Sequence, residues 1–230
     1  MNSKKLMRDI NIIYQEIDKC KDDYKKKGDL GETAVFRICE ELYKEEGGIL
    51  YHSYQHKVDV DLPGNLKRSD QGNIFIENLG NFTEIDVLLV TPLKLFPIEV
   101  KTYSAVKNGG IILTKDGISG CRETAKSPVH QNEMHCRHLY SYICKNLPNG
   151  SSKYIQPIVV FVDRCKITDN RSAQEKAYIP ATTLNGLYSL LVQLNKPLEY
   201  RLDLPNLSVT LNECCQGYNK MLPLKILEGL

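Results

Sequence analysis

The segment from Thr83 to Lys101, TEIDVLLVTPLKLFPIEVK, constrains the fold more than any other part of this sequence. It contains two runs of β-branched and aliphatic residues, which are typical of buried strands. The TPLK link between them is short enough for an antiparallel pair, and Pro97 predicts an edge, a bulge or an irregular start in the second strand. Against this apolar background, the charges of Asp86 and Glu99 and of the final lysine are expected to serve a ligand or one another.

Strand geometry brings these charges together. Side chains alternate between the two faces of a strand, so Glu99 and Lys101 share a face while Val100 points to the other layer. If the two strands pair, the carboxylates of Asp86 and Glu99 can share one divalent cation. Mg²⁺ commonly binds one or two carboxylates together with water and phosphate, and a nearby lysine suits hydrolysis of a phosphate ester. The alternative is an ordinary ion pair on a solvated strand face.

Composition places the chain among ordinary soluble proteins. Its 230 residues are 42% hydrophobic and 25% charged, and no run of about 18 apolar residues predicts a membrane helix. The N-terminus does not read as a secretory signal, and the eight cysteines form no CxxC pair. We therefore expect reduced thiols, a cytoplasmic location and no membrane partner. The net charge of +2 is too small to indicate a nucleic-acid partner by itself.

The order of the elements predicts a single α/β domain over residues 1–230, with a core at about 28–165. An N-terminal amphipathic helix is predicted in residues 1–27, and residues 166–230 are predicted to form a helical extension. Strands are predicted at 49–60, 73–76, 83–91, 93–102, 110–114 and 155–163. Further helices are predicted from Asp29 to about Glu46 and at 127–145, 182–194 and 209–218.

Two side chains on predicted helices supplement the strand charges. Glu32 shares a helical face with apolar residues at i+3, i+4 and i+7, which directs its carboxylate toward the core. It also lies in the first turn of its predicted helix, where a glutamate can simply complement the dipole. Gln131 lies one turn after a helix start at Ser127, where the positive end of the helix dipole favours a bound phosphate. The alternative is that Gln131 is only a common residue at a helix start. The histidines of HQNEMHCRH fit no familiar zinc-ligand spacing.

Basic residues outnumber acidic ones around this region of the sequence. The residues expected to contact nucleic acid are Lys107, Lys115, Arg122 and Lys126. Such an excess is compatible with an approaching phosphate backbone, but it is also ordinary for a solvated loop. No base-reading module or aromatic platform is visible, so the sequence predicts no sequence-specific recognition.

Taken in order, three segments resemble the nuclease-related domain (NERD) family, a branch of the PD-(D/E)xK nuclease superfamily. They are GDLGETAVFRICEEL, TEIDVLLVTPLKLFPIEVKTYSA and SPVHQNEMHCRHLYSYI. The family's G-x-x-G-E, I-D, E-V-K and P-x-x-Q motifs look like Gly28, Gly31 and Glu32, then Ile85 and Asp86, then Glu99, Val100 and Lys101, and then Pro128 and Gln131. The resemblance covers roughly residues 28–145.

The resemblance implies a restriction-endonuclease-like core, with a mixed central β-sheet flanked by helices. It implies that Mg²⁺ or Mn²⁺ is bound by Asp86, Glu99 and the carbonyl of Val100, that Lys101 is the catalytic lysine, and that Glu32 and Gln131 are supporting catalytic residues. Some related nucleases have a tyrosine four residues after the glutamine, where this chain has His135.

Three hypotheses follow from these residues. The first is a metal-dependent nuclease that hydrolyses DNA phosphodiesters. The second is an inactive nucleic-acid-binding or partner-docking module of the same fold, and the third is a structural α/β protein in which the charges are internal ion pairs. Many nucleases that cut both strands are symmetric dimers, which makes the N-terminal helix a candidate contact in a homodimer.

Overall fold

The computed structural model describes residues 3–20, 23–57, 66–68, 74–76, 82–103, 110–114, 117–120, 127–162 and 166–226. The helices are α1 (Ser3–Lys19), α2 (Tyr24–Glu46), α3 (Pro128–Ile143), α4 (Ala173–Tyr178), α5 (Leu184–Leu194) and α6 (Leu204–Cys214). The strands are β1 (Gly48–Lys57), β2 (Leu66–Arg68), β3 (Ile74–Ile76), β4 (Phe82–Val90), β5 (Leu95–Lys101), β6 (Ile111–Leu113), β7 (Ile118–Ser119), β8 (Ile158–Phe161), β9 (Ile167–Asp169), β10 (Ala181–Thr183), β11 (Cys215–Gly217) and β12 (Lys220–Lys225).

A seven-stranded mixed sheet forms the centre of the described structure. Its order is β10, β8, β5, β4 and β1, with β11 and β12 both pairing with β1 at the far edge. The strands β10, β8 and β5 are parallel, whereas β5, β4 and β1 are antiparallel neighbours. This confirms the predicted mixed central sheet and the antiparallel pairing of the two strands in the TEIDVLLVTPLKLFPIEVK segment.

Helices cover both faces of this sheet. One face packs against α2 and α5, with α1 packed on these two helices, and buried side chains such as Ile13, Val35 and Leu187 belong to one apolar cluster with Ile98 of β5. The other face packs against α3 and α6. The two apolar layers confirm an α/β fold in which β4 and β5 are central strands. The apolar stripe of α1 is buried within the chain, on α2.

The second helix begins earlier than predicted. The sequence predicts a helix stop at Gly28 and a new start at Asp29, but α2 begins at Tyr24 and continues through Gly28. Asp23 caps it by accepting a hydrogen bond from the backbone N–H of Lys26, at 3.0 Å. A glycine inside a helix costs about 1 kcal/mol relative to alanine, and the buried face of α2 offsets that cost. Glu32 therefore lies well inside α2, and its predicted position in a first turn is wrong.

The sequence predicts an edge, a bulge or an irregular start at Pro97, and the edge is wrong because Pro97 lies in a central strand. β5 pairs with β4 on one side and with β8 on the other. Proline has no N–H to donate to a ladder, but its carbonyl oxygen accepts a hydrogen bond from the buried amide of Asn132 on α3. Its Nδ2 donates to the carbonyl oxygens of Pro97 and Ile158, at 3.2 and 2.8 Å. The same side chain fastens α3 to the sheet beside Gln131.

The C-terminal part is not purely helical. Residues 166–226 contain three helices, but they also supply β10 to one edge of the central sheet and β11 and β12 to the other. The helix predicted at 209–218 is instead α6, which begins at Leu204 after an Asp203 cap and has Pro205 in its first turn. That start follows the usual preference for aspartate and proline at a helix N-terminus.

The sequence also predicts reduced thiols and no membrane helix. The six cysteines within the described ranges, at positions 20, 39, 136, 144, 214 and 215, are all free thiols. Of the helices that the structure describes, none has the length and hydropathy required to cross a bilayer.

Candidate active site

The site lies where β4 and β5 separate. Their described ladder ends at the pair formed by Val87 and Ile98. Past that pair, the backbone N–H of Val100 donates to Oδ2 of Asp86, at 2.6 Å. The carboxylate of Asp86 thus takes the position of a strand partner, which fixes it next to the Glu-Val-Lys segment of β5.

Glu99 and Lys101 emerge together on the face covered by α3. The Glu99 side chain is only 1% exposed, and its Oε1 accepts a hydrogen bond from Nζ of Lys101, at 2.5 Å. The lysine also donates to Oε1 of Gln131 on α3, at 3.2 Å. Two oxygen acceptors from different elements therefore hold the ammonium group. The predicted convergence of these three side chains is present in the structure.

The second carboxylate oxygen of Glu99 lacks a hydrogen bond in the described part of the chain. Its Oε2 is buried and has no hydrogen-bond partner among the described residues. Nδ1 of His135 lies 3.4 Å away, and it is also buried and makes no hydrogen bond there. An unsatisfied buried polar atom costs about 1–3 kcal/mol and calls for an explanation such as a bound ion or water.

Electrostatics set this group of side chains apart from an ordinary ion pair. Burial and the nearby charge of Glu99 raise the pKa of Asp86 well above its usual range. Burial also raises the pKa of Glu99, although Lys101 opposes the effect. Burial alone would lower the pKa of Lys101, but the two carboxylates outweigh it and the pKa is raised, so the lysine is protonated at neutral pH. Two carboxylates and one lysine leave an excess of negative charge.

Burial and nearby basic groups also affect His135. They lower the pKa of this histidine to about 3, so the ring is neutral at neutral pH. A neutral ring does not offset the negative charge of the Asp86 and Glu99 pair.

Glu32 approaches from α2, on the other layer. Its Oε2 accepts a hydrogen bond from the hydroxyl of Ser53 at 3.3 Å, and Nε2 of His52 lies 3.3 Å from the same oxygen. Consecutive strand residues normally face opposite sides. Ser53 departs from this because its φ is +52°, and Tyr51 and Tyr54, three residues apart, consequently pack in the same core layer. A strained non-glycine backbone of this kind is a common property of functional sites.

Gly31 allows α2 to approach the end of β5. A Cβ atom at this position would lie 2.6 Å from Oγ1 of Thr102 and 3.1 Å from Cγ2 of Val162, closer than atoms pack. A Cβ at Gly28 would meet nothing within 4 Å. The close approach at Gly31 is what brings the neighbouring Glu32 toward the two strand carboxylates, whose pKa values its charge helps to raise.

We expect Gly31→Ala and Gly28→Ala to differ in the free energy of unfolding by about 1–3 kcal/mol, because overpacking opposes the helix-propensity gain only at Gly31. Both variants gain the same propensity, about 1 kcal/mol, so Gly28→Ala is the matched control. Urea unfolding measures the difference. Equal stabilisation of both variants would show that α2 does not depend on this contact.

The donor set fits a hard divalent cation with few protein ligands. Mg²⁺ commonly retains several waters and binds through one or two carboxylates, and here two carboxylates converge with one oxygen unsatisfied. Within the described ranges, no three His, Cys, Asp or Glu side chains are grouped so that they could hold a metal ion. The histidines of α3 do not form such a group either, since His130 is exposed while His135 and His138 are buried.

Comparison with known families agrees with this geometry. Residues 27–162, more than half of the chain, match the sequence model of the nuclease-related domain. The chain belongs to the nuclease-related domain family. This family is of the PD-(D/E)xK nuclease type. Among curated proteins and among solved structures, no significant match to the chain is found.

Within this nuclease-related domain, hydrogen bonds join most of the residues that the sequence singled out: Val100 with Asp86, and Lys101 with Glu99 and Gln131. Glu32 on α2 bonds instead with Ser53, and it acts on Asp86 and Glu99 through its charge. The four basic residues expected to contact nucleic acid, Lys107, Lys115, Arg122 and Lys126, lie outside the described residues.

Sequence reasoning missed the surroundings of Glu32. Ser53 and His52 carry no local signal, because the left-handed backbone that directs both side chains to one carboxylate is a tertiary feature. The contact of His135 with Glu99 had a signal, since His135 follows Gln131 by four residues and therefore lies on the same helical face.

Proposed function

We propose that this protein is a metal-dependent nuclease that hydrolyses DNA phosphodiester bonds. The observation that carries the proposal is the pair Asp86 and Glu99, two carboxylates with raised pKa values, one of which has a buried oxygen without a hydrogen bond. A structural ion pair needs no second carboxylate and no unsatisfied oxygen. A site that binds a cation can use both.

Asp86 and Glu99, with the carbonyl of Val100, would hold Mg²⁺ or Mn²⁺. When bound, such a cation lowers the pKa of a coordinated water and offsets charge on the phosphate. Neutralisation by a cation would offset the burial that raises the pKa values of both carboxylates, and the charge of Glu99 that raises the pKa of Asp86 further. The hydrogen bond from the backbone N–H of Val100 fixes one carboxylate oxygen of Asp86 and leaves the other oxygen of Asp86 for the cation.

Lys101 would supply the positive charge that faces the phosphate. Its ammonium has three protons, and two of them are used by Glu99 and Gln131. The third can be donated to a phosphate oxygen or to the attacking water. Because the lysine is held from two sides before substrate arrives, little reorganisation is needed in the transition state. Gln131 would act by orienting this lysine, and Glu32 by contributing a further negative charge beside the cation.

The remaining parts of the proposal rest on sequence. Lys107, Lys115, Arg122 and Lys126 would contact the phosphate backbone, which predicts binding that weakens as salt concentration rises. The free thiols are compatible with a cytoplasmic protein.

One observation favours a second candidate, a nucleic-acid-binding or partner-docking module without turnover. Lys101 is closely paired with Glu99 and also donates to Gln131, so contacts within the protein account for its burial without a substrate. This candidate predicts DNA binding that does not depend on a divalent cation and no cleavage with either metal.

A cleavage assay tests the proposal. Supercoiled, linear and single-stranded DNA would each be incubated with the protein in Mg²⁺, in Mn²⁺ or in EDTA. We expect cutting with either cation and none in EDTA. Unchanged DNA in every condition, with DNA binding retained, would favour the binding module. Cutting of RNA in the same buffers, with DNA left intact, would correct the substrate and retain the chemistry.

A further inference from the structure

The far edge of the sheet, beyond the part matched by the family, reaches the candidate site. Between β11 and β12, Asn219 donates its backbone N–H to the carbonyl of His52, at 2.9 Å. Its side-chain Nδ2 donates to the hydroxyl oxygen of Ser53, at 3.0 Å. Ser53 in turn donates to Glu32 Oε2, at 3.3 Å. A relay of two side-chain hydrogen bonds thus joins the C-terminal edge of the sheet to a carboxylate of the site.

The direction of this relay follows from the chemistry of its groups. An ionised carboxylate only accepts hydrogen bonds, so Ser53 must use its single proton toward Glu32. The hydroxyl oxygen of Ser53 can then only accept from Asn219, which requires the amide nitrogen to face it. Ser53 is 4% exposed, so water has little access to replace the amide.

We propose that Asn219 is a positioning residue for the active site, acting through Ser53 to hold the carboxylate of Glu32 near Asp86 and Glu99. The inference rests on the proposed nuclease function and adds a residue outside the family match, which ends at residue 162. Glu32 directly follows Gly31, whose Cβ position lies 3.6 Å from Cγ1 of Val100 on β5, so the placement of its carboxylate affects how the site binds a cation.

A purely structural role for the Asn219 side chain explains less. The link between β11 and β12 is already held by the backbone hydrogen bond to His52 and by the pairing of both strands with β1. The side-chain amide adds no backbone hydrogen bond to that pairing. What it does contact is the hydroxyl of Ser53, at the left-handed residue that faces Glu32.

The first test compares Asn219→Ala with Asn170→Ala, an exposed asparagine in another part of the chain. Binding of Mn²⁺ is measured by calorimetry, and cleavage by initial rates. We expect Asn219→Ala to weaken Mn²⁺ binding or lower the cleavage rate about 10–100-fold, as is typical when the partner of a metal-site residue is removed. Asn170→Ala should match the wild type. A folded Asn219→Ala protein with unchanged Mn²⁺ affinity and rate would overturn the proposal.

The second test separates the hydroxyl of Ser53 from its backbone conformation. Ser53→Gly removes the hydroxyl but suits the positive φ, so the fold should be retained. Its control is Asn149→Gly at an exposed residue that has the same φ of 52°. If Ser53 has only a structural role, both variants should bind Mn²⁺ with the wild-type affinity. If Ser53 positions Glu32, Ser53→Gly alone should lose Mn²⁺ affinity.

A failure of the proposed function remains distinguishable from a failure of this inference. If the wild type cuts no nucleic acid, Mn²⁺ affinity still reports on the relay. If it binds no Mn²⁺ either, a double-mutant cycle between Asn219→Ala and Glu32→Gln reports on the relay alone. Non-additive shifts in melting temperature support it, and additive shifts overturn it.

Discussion

Replacing Lys101 by methionine is expected to lower the rate of metal-dependent cleavage by about 10²–10³-fold, the usual loss when one preorganised charge that stabilises a transition state is removed. Methionine keeps most of the aliphatic stem but cannot donate to a phosphate oxygen. It also leaves Gln131 without its donor from β5. The measurement is the initial rate in Mg²⁺ at a fixed pH, with DNA in excess.

Lys101→Met also removes the counter-charge of a carboxylate that is only 1% exposed. Breaking a buried pair from one side costs about 3–5 kcal/mol, and protonation of Glu99 reduces this cost as the pH falls. The variant must therefore be shown to be folded at the assay temperature.

Lys153→Met, at an exposed lysine far along the chain, is the matched control. It should retain the wild-type rate and stability. A folded Lys101→Met protein that keeps more than about a tenth of the wild-type rate would be inconsistent with the loss expected of a preorganised charge, and would remove Lys101 from the catalytic set.

The central part of the site could be predicted from sequence because its signals are local. Asp86 and Glu99 lie in one hairpin of 19 residues, Thr83 to Lys101, whose apolar runs and short link determine how the strands pair. The start of α3 is equally local, since Ser127 caps it and Pro128 occupies its first turn. Side chains alternate along β5, which puts Lys101 on the face covered by α3, and Gln131 lies one helical turn after the start of α3. These two local patterns are sufficient to bring Gln131 to Lys101.

The rest depends on contacts between distant parts of the chain. The strands β11 and β12 pair with β1 across more than 150 residues, and the short segment CQG has no alternating pattern that would predict a strand. Pro97 lies in a central strand, where Asn132 donates to the sheet from another element. Single-sequence patterns report local preference, and tertiary contacts of this kind override it.

The metal-free protein should become more stable when Asp86 is changed to asparagine. In the folded state the pKa of Asp86 lies well above its usual value, because of burial and then the charge of Glu99. From about pH 4 up to the folded pKa, the folded state binds more protons than the unfolded state. The unfolding free energy therefore falls as pH rises through that window, and the penalty remains at higher pH.

The side-chain amide in Asp86→Asn carries no charge, and its oxygen can still accept from the N–H of Val100. For a chain of this length, we expect the melting temperature in EDTA at neutral pH to rise by about 2–4 °C for each kcal/mol of repulsion removed. An excess of Mg²⁺ should raise the melting temperature of the wild type and have little effect on Asp86→Asn, since the cation and the substitution relieve the same repulsion. Differential scanning calorimetry in EDTA and in Mg²⁺ measures both effects.

Asp169→Asn is the matched control because its carboxylate has the opposite environment. Burial alone would raise the pKa of Asp169, but three hydrogen bonds from Arg171 and the charge of Arg171 outweigh it and the pKa is lowered. Such a carboxylate stabilises the fold above its unfolded pKa and loses that effect as pH falls. Asp169→Asn should therefore lower the melting temperature at neutral pH, with a smaller loss in acid. If Asp86→Asn behaves in the same way, the charges of β4 and β5 form structural ion pairs, and the assignment of a cation site to them is wrong.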